Sequence, residues 1–266
     1  MTLFVQFDQR NINRWFTKPP GSLLLRHQQA MCQQYYQKYH QPKFILEAGL
    51  TKKISVLAGT ASMKQHLDLS MLLAAEKNHK EAAAMLKSLL AACAPHSMQL
   101  TLVHHLLDFC KPGLQQKMIK DLVQVTEYGS NIIILGFNPS GLWPCQAKIT
   151  KHPVWQHSVY TPIYRIIRQL AALNCISIKY TFHLPLFPWH IPEHPPANAI
   201  YKGLQSRLCF WSCYYMIRAT VSKPDRIKPF NMAALSYLQR NGIGLKPVAR
   251  QKTEDKTCAS YESDKN

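Results

Sequence analysis

His104-His105, followed three positions later by Asp108, is the densest group of residues able to move protons. Two imidazoles and a carboxylate inside five residues offer a base and a group to orient it. The bland alternatives are one satisfied core imidazole beside one solvated imidazole, and an acid at the start of a helix. Glu47-Ala48-Gly49 places a carboxylate two residues before a glycine, a short signal that is common by chance. Asn138-Pro139 forms a polar turn before Leu142-Trp143. His183, His190 and His194 share one region, but their spacing fits no standard metal site, and no metal is expected.

The elements around these residues have readable patterns. Leu100–Val103 is a short apolar run, and Lys111-Pro112-Gly113 is a turn signal. Leu114, Met118, Leu122 and Val125 then recur on one helical face, with Lys117 and Asp121 on a wetter one. Tyr128-Gly129-Ser130 reads as the stop of that helix, and Asn131–Phe137 is an almost wholly apolar, β-branched run. Strand, helix and strand at this spacing predict a βαβ unit, and strands apolar on both faces belong in a parallel sheet covered on both sides. Ligands of such sheets bind at the carboxyl ends of the strands. That rule selects His104–Asp108 and Gly136–Ser140.

The rest of the chain is read around this unit. Residues 1–21 form a lead-in anchored by Trp15, and Ser22 is a candidate cap for a helix reaching about His40, with Leu24, Met31, Tyr35 and Tyr39 inward. Lys43–Gly49 reads as the first strand and Ile54–Leu57 as the second. Asp68–Leu90 reads as helix by propensity. Gly141–Ser158 reads as a loop. Thr161-Pro162 opens a helix with threonine as cap, carrying the stripe Ile163, Ile166, Ile167, Leu170 and Leu173. Asn174–Phe182 is the next strand, Leu184–Pro196 a proline-rich loop, and Phe210–Val221 the last strand. Residues 222–266, polar and poor in bulky apolar side chains, are expected to be largely disordered.

Composition bounds the class. Hydrophobic content of 47% suits a chain with a full core. The eight cysteines include no C-x-x-C pair, and Cys209 and Cys213 read as buried thiols; this fits a reducing compartment, and a cytoplasmic location is expected. No apolar run approaches a membrane span, and the first ten residues lack a signal-peptide layout. The formal charge is +18, and between Tyr128 and Pro224 the only acid is Glu193. Such a surface is either merely solvated or attracts an anionic partner, a nucleic acid or a membrane surface.

The central stretch resembles class I S-adenosylmethionine-dependent methyltransferases of the type 11 kind, closest to a group of small proteobacterial members. The resemblance rests on Leu102–Phe109, Leu122–Gly129 and Ile132–Pro139, with Gly136-Phe137-Asn138-Pro139 and Leu142-Trp143 the most specific part. It covers roughly residues 10–220. It implies a Rossmann-like α/β fold, mostly parallel with an antiparallel last strand and helices on both faces. It implies three regions: a helical lead-in over 1–41, a methyltransferase-like domain over 42–221 and a basic tail over 222–266. The cofactor would be S-adenosylmethionine, lined by Glu47, Gly49 and the His104-His105-Leu106 turn. Asn138 and Trp143 would stand on the acceptor side, the acceptor being unidentified, with Asn138-Pro139 shaping a pocket wall. His104, His105 and Asp108 are the catalytic candidates.

Three departures stand out against the family. Leu50, Thr51, Lys52 and Lys53 occupy places where the family has further glycines, and Lys87 stands where it has an aspartate near the adenine. No ribose-binding acid follows Ile54–Leu57 at short range; Asp68 is the nearest. These departures keep open a second reading, a methyltransferase-fold binding module without turnover, serving the anionic partner.

Overall fold

The computed structural model describes residues 9–38, 42–51, 53–57, 63–68, 93–149, 151–152, 154–155, 158–185 and 212–223. Their centre is a six-stranded sheet: β1 (Phe44–Gly49), β2 (Met63–Asp68), β3 (Met98–His104), β4 (Thr126–Phe137), β5 (Cys175–Pro185) and β6 (Ser212–Val221). The spatial order is β2-β1-β3-β4-β6-β5. The first four strands pair in parallel, and β6 is antiparallel to both β4 and β5. The expected mixed α/β sheet, with its antiparallel last strand, is the one observed.

Helices cover both faces. α1 (Gln9–Thr17) and α2 (Gly21–Lys38) lie on one; α3 (Pro112–Val125) and α5 (Ile163–Ala172) pack against the other, and α4 (Leu142–Ile149) follows β4. Leu114, Met118, Leu122 and Val125 are all buried along α3, as their spacing predicts. Ile163, Ile166, Ile167 and Leu170 are buried along α5. Ile132–Leu135 of β4 is buried residue after residue, because both faces of that strand are covered.

Several local expectations are corrected. Ile54–Leu57 is not a strand. The Glu47 carboxylate captures the Val56 amide (2.6 Å) and the Ser55 hydroxyl (2.7 Å), curling the segment into turns. The second strand is instead Met63–Asp68, an edge strand whose half-wet pattern hides it from an apolarity search. Tyr128-Gly129-Ser130 lies inside β4, where the register with β3 slips between Met98 and Leu100 and Gly129 takes φ +87°. Gly141–Ser158 contains a helix, α4. Thr161 does not cap α5: Pro162 holds that position with no side-chain cap, and the Thr161 hydroxyl accepts from Gln115 Nε2 instead. Ser22 falls inside α2, which begins at Gly21.

The lead-in is built into the fold. Ile12, Trp15 and Phe16 of α1 are buried, as are Leu24, His27, Gln28, Cys32, Tyr35 and Tyr36 of α2. Between β1 and β2 the described residues, 50–51 and 53–57, form turns rather than the usual crossover helix. The face such a helix would cover is reached by α2, whose side chains bond to Ser55 O, His105 and Tyr214. Asp68, where a helix is expected to open, instead ends β2; residues 69–90 of that expected helix with Lys87, and Trp189, His190, His194 and the tail beyond Lys223, lie outside the described residues. Among the described residues no helix is long and apolar enough to cross a membrane.

Under α2, His27 Nδ1 meets the Tyr214 hydroxyl at 2.8 Å, and His183 stacks on the Tyr214 ring. Burial lowers His27 to about 4; burial, with the charges of His27 and Arg218, lowers His183 to about 3. The unfolded chain therefore binds protons first as pH falls below the ordinary histidine value near 6.5. Stability is full above that value and is lost progressively toward pH 4. His27 alone accounts for about 3 kcal/mol of that loss, because each pH unit separating its folded and unfolded titrations is worth about 1.4 kcal/mol. Urea midpoints should fall steeply between pH 6.5 and 4, and His27→Phe should flatten the slope. A wild-type slope unchanged by both His27→Phe and His183→Phe would place the proton uptake elsewhere.

Candidate functional site

Chain direction fixes where a ligand would lie. From β1 the chain goes outward to β2, then returns past β1 to β3, so the order reverses between β1 and β3. Crevices at such reversals, at the carboxyl ends, are where ligands of these sheets bind. One register row crosses that end: Asp68, Gly49, His104, Leu135, Met216 and Thr181. The topology thus brings Glu47, Gly49 and His104 together, as the sequence reading expects. It adds Asp68 at the end of β2, directly beside Gly49.

Glu47 is buried and spends both carboxylate oxygens on residues 55–56, with His66 Nδ1 3.8 Å away. It shapes the turn after β1. Gly49 is needed for a close approach, and what approaches is His104. A Cβ on Gly49 would stand 3.0 Å from His104 Nε2 and 3.1 Å from its Cδ2. The same Nε2 meets the Ile54 carbonyl at 2.7 Å. Burial lowers the His104 pKa, opposed by the Glu47 charge, so the imidazole is neutral and donates to Ile54 O. Leu50 and Thr51, standing at expected glycine positions, are buried, and Thr51 donates to Asn13 of α1 at 2.8 Å.

His105 sits one residue past β3 with φ +54°, a left-handed backbone unusual for a side-chain-bearing residue and common at functional turns. Its amide donates to Leu135 O. The ring stacks on Phe137 (centroids 4.1 Å apart) and is fully buried. Nδ1 lies 3.0 Å from Asp108 Oδ2, an oxygen that also accepts the Phe137 amide at 3.1 Å. Burial raises the Asp108 carboxyl, an effect opposed by these hydrogen bonds. On the other side of the ring, Gln28 Nε2 lies 2.8 Å from His105 Nε2. An amide NH2 can only donate, so Nε2 holds a lone pair and the ring proton is on Nδ1, facing Asp108. A neutral imidazole, held by a carboxylate with its second nitrogen basic, is a general-base arrangement. Leu106 is buried beside it.

Around the pair stands an aromatic cluster. Trp155 is fully buried and contacts Trp15, Phe16, Phe109, Phe137 and His105, with centroids 4.7 to 6.3 Å away. Trp143 tilts against Trp15 at 5.4 Å. Among the described residues, the indole nitrogens of Trp15, Trp143 and Trp155 are buried without a hydrogen-bond partner, as is Gln28 Oε1. Trp143 therefore lies on the His105 side of the sheet. Asn138 is instead engaged in its own turn. Its Nδ2 donates to Ser212 O and Oγ, and its Oδ1 accepts the Ser140 amide. That is a turn-forming role, which makes a wall.

Gln28, Phe137 and the strand position of Asp68 escape a motif search. Gln28 carries one signal: it falls on the Leu24, Met31, Tyr35 stripe, a polar residue where α2 is otherwise apolar. Among the described residues no group of three histidine, cysteine or carboxylate side chains is placed to hold a metal ion.

No protein-family model matches the chain, and no curated protein matches it in sequence. Solved structures do match in fold. A SAM-dependent methyltransferase from Archaeoglobus fulgidus aligns with TM-score 0.52 at 14% identity, over 72% of this chain and 92% of that one. A SAM-dependent methyltransferase of Thermotoga maritima, described as a possible histamine N-methyltransferase, aligns with TM-score 0.52 at 10% identity, over 80% and 97%. The fold is the Rossmann-like fold of these enzymes.

Proposed function

We propose that the chain is an S-adenosylmethionine-dependent methyltransferase acting on an acceptor that gives up a proton to His105. The observation that carries this is the pairing of Gly49 and Asp68 at the switch point. An acid about 20 residues after the glycine of the first strand, at the end of the neighbouring strand, is the arrangement by which Rossmann-type sheets hold a ribose. Here the glycine ends β1, the acid ends β2, and the two are register partners. The type 11-like run Gly136–Trp143, which supplies the turn under the aromatic cluster, supports the same reading.

At its nucleoside end the cofactor would be held from the end of β2, where Asp68 is the register partner of Gly49. The ground over Gly49 is taken by the His104 ring, so the amino-acid end would be accepted only with the His104–Ile54 hydrogen bond open. The cofactor supplies a methyl group on a good leaving group, so the protein needs mainly alignment, a dry site and a proton acceptor. Glu47 fixes the turn after β1, Asp108 orients His105, and the tryptophans and Phe137 exclude water.

Calorimetric titration with S-adenosylmethionine and S-adenosylhomocysteine tests the reading. The expected result is micromolar binding of both, weakened at least tenfold by Asp68→Ala with the melting temperature unchanged. Removal of a charged hydrogen-bond acceptor is worth about 1.5–3 kcal/mol. Absence of binding of either compound at millimolar concentration would overturn it.

A further inference from the structure

Gln28 lies outside every motif of the sequence, on a helix that precedes the sheet, yet its side chain makes one contact of consequence. Its amide nitrogen donates to His105 Nε2 at 2.8 Å, while its oxygen, buried in the same place, has no partner among the described residues. An unpaired buried carbonyl is unfavourable. The amide is planar and nearly symmetric in shape. Turned over by half a rotation, the oxygen faces Nε2 and the NH2 takes the unpaired place. That orientation requires a proton on Nε2. With Asp108 already accepting from Nδ1, the ring would then be a doubly protonated imidazolium with a partner on each nitrogen.

We propose that Gln28 is a positioning residue that serves both protonation states of His105 by swivelling its amide. In the resting state its NH2 holds the Nε2 lone pair. The incoming acceptor's N–H or O–H takes that place. The cofactor would supply the methyl group, with sulfur keeping the carbon–sulfur electron pair, and the acceptor's proton would pass to Nε2. The Gln28 oxygen then accepts the new Nε2–H. The ring is fully buried between Phe137 and Trp155, out of reach of bulk water, so a charged ring needs such a partner. The other titratable groups facing the ring are His104, in edge contact at 6.1 Å, and Asp108. This inference rests on the methyltransferase reading for its chemistry, but the swivel has a test of its own.

Nitrogen-15 NMR of the His105 ring, with selective histidine labelling, reads both nitrogens directly. In the wild type the proton should sit on Nδ1 at neutral pH. Gln28→Glu places a carboxylate at Nε2, and should protonate that nitrogen at a pH at least one unit higher than in the wild type. Gln28→Leu removes the acceptor and should move protonation lower. Gln28→Asn, too short to reach, should behave as Gln28→Leu. Opposite shifts in folded Glu and Leu variants establish the swivel; identical titration in all four proteins overturns it, leaving Gln28 a packing residue. If the shifts appear but the protein binds no S-adenosylmethionine, the methyltransferase reading falls while the Gln28–His105 coupling stands.

Discussion

Trp155→Ala should destabilise the protein by about 3–5 kcal/mol, the range for emptying a large buried aromatic site. The side chain is fully buried, and five aromatic or imidazole rings lean on it: Trp15 and Phe16 from α1, Phe109 after β3, Phe137 at the end of β4, and His105. These rings come from segments far apart in sequence, so one cavity loosens several elements at once. Against a typical total stability of about 5–15 kcal/mol, the loss removes about a fifth or more. Urea unfolding followed by circular dichroism measures it. Trp155→Phe should cost less than half as much, because it keeps a ring in the stack. A loss under about 1 kcal/mol for the alanine variant, well below the usual range for such a site, would mean that the cluster does not hold α1 to the sheet.

Asp108→Ala should rank next in stability and first in its effect on the site. One oxygen accepts from His105 Nδ1 and from the Phe137 amide, both buried. Leaving two such donors unpaired is unfavourable by roughly 1–3 kcal/mol each. The substitution separates from simple cavity formation when compared with Asp108→Asn. Both donors meet the same oxygen, so the asparagine amide keeps its oxygen there and turns its NH2 to the other place. Asp108→Asn should therefore leave the His105 proton on Nδ1 while removing the negative charge beside the ring, and in the proposed reaction should slow methyl transfer by about a hundredfold or more, the usual worth of a positioned base. A proton found on Nε2 in that variant would show that the asparagine NH2, not its oxygen, faces the ring.

The sheet was legible in sequence where strands are buried on both faces. Ile132–Leu135 and Leu100–Val103 announce themselves because nothing polar is tolerated there. β2 was not, because an edge strand with exposed positions such as Met63 carries no such run. That error hid Asp68. Once the strand is moved from Ile54–Leu57 to Met63–Asp68, the acid that was too distant ends the strand beside Gly49. The His105–Asp108 pair was readable from its spacing, but which histidine would face the acid was not. The left-handed turn at His105 decides that, sending His104 to Ile54 and His105 to Asp108. Gln28 could not be named at all, since its partner lies seventy-seven residues away and no local pattern records the meeting.

The regions implied by the resemblance suggest a convenient place to shorten the gene, at Pro42 just ahead of β1. The packing of α2 makes that cut a poor one. The helix is synthesised before the surface it covers, and the turns after β1 hold no described helix to replace it. A recombinant fragment starting at Pro42 would present the apolar face bearing Ile45, Leu102 and Ile133 to water and would lack the residue that binds His105 Nε2. Such a fragment should collect in inclusion bodies, and supplying residues 1–41 as a separate peptide during refolding should recover soluble protein. During synthesis on the ribosome α2 emerges long before one of the residues it packs against, Tyr214 of the last strand.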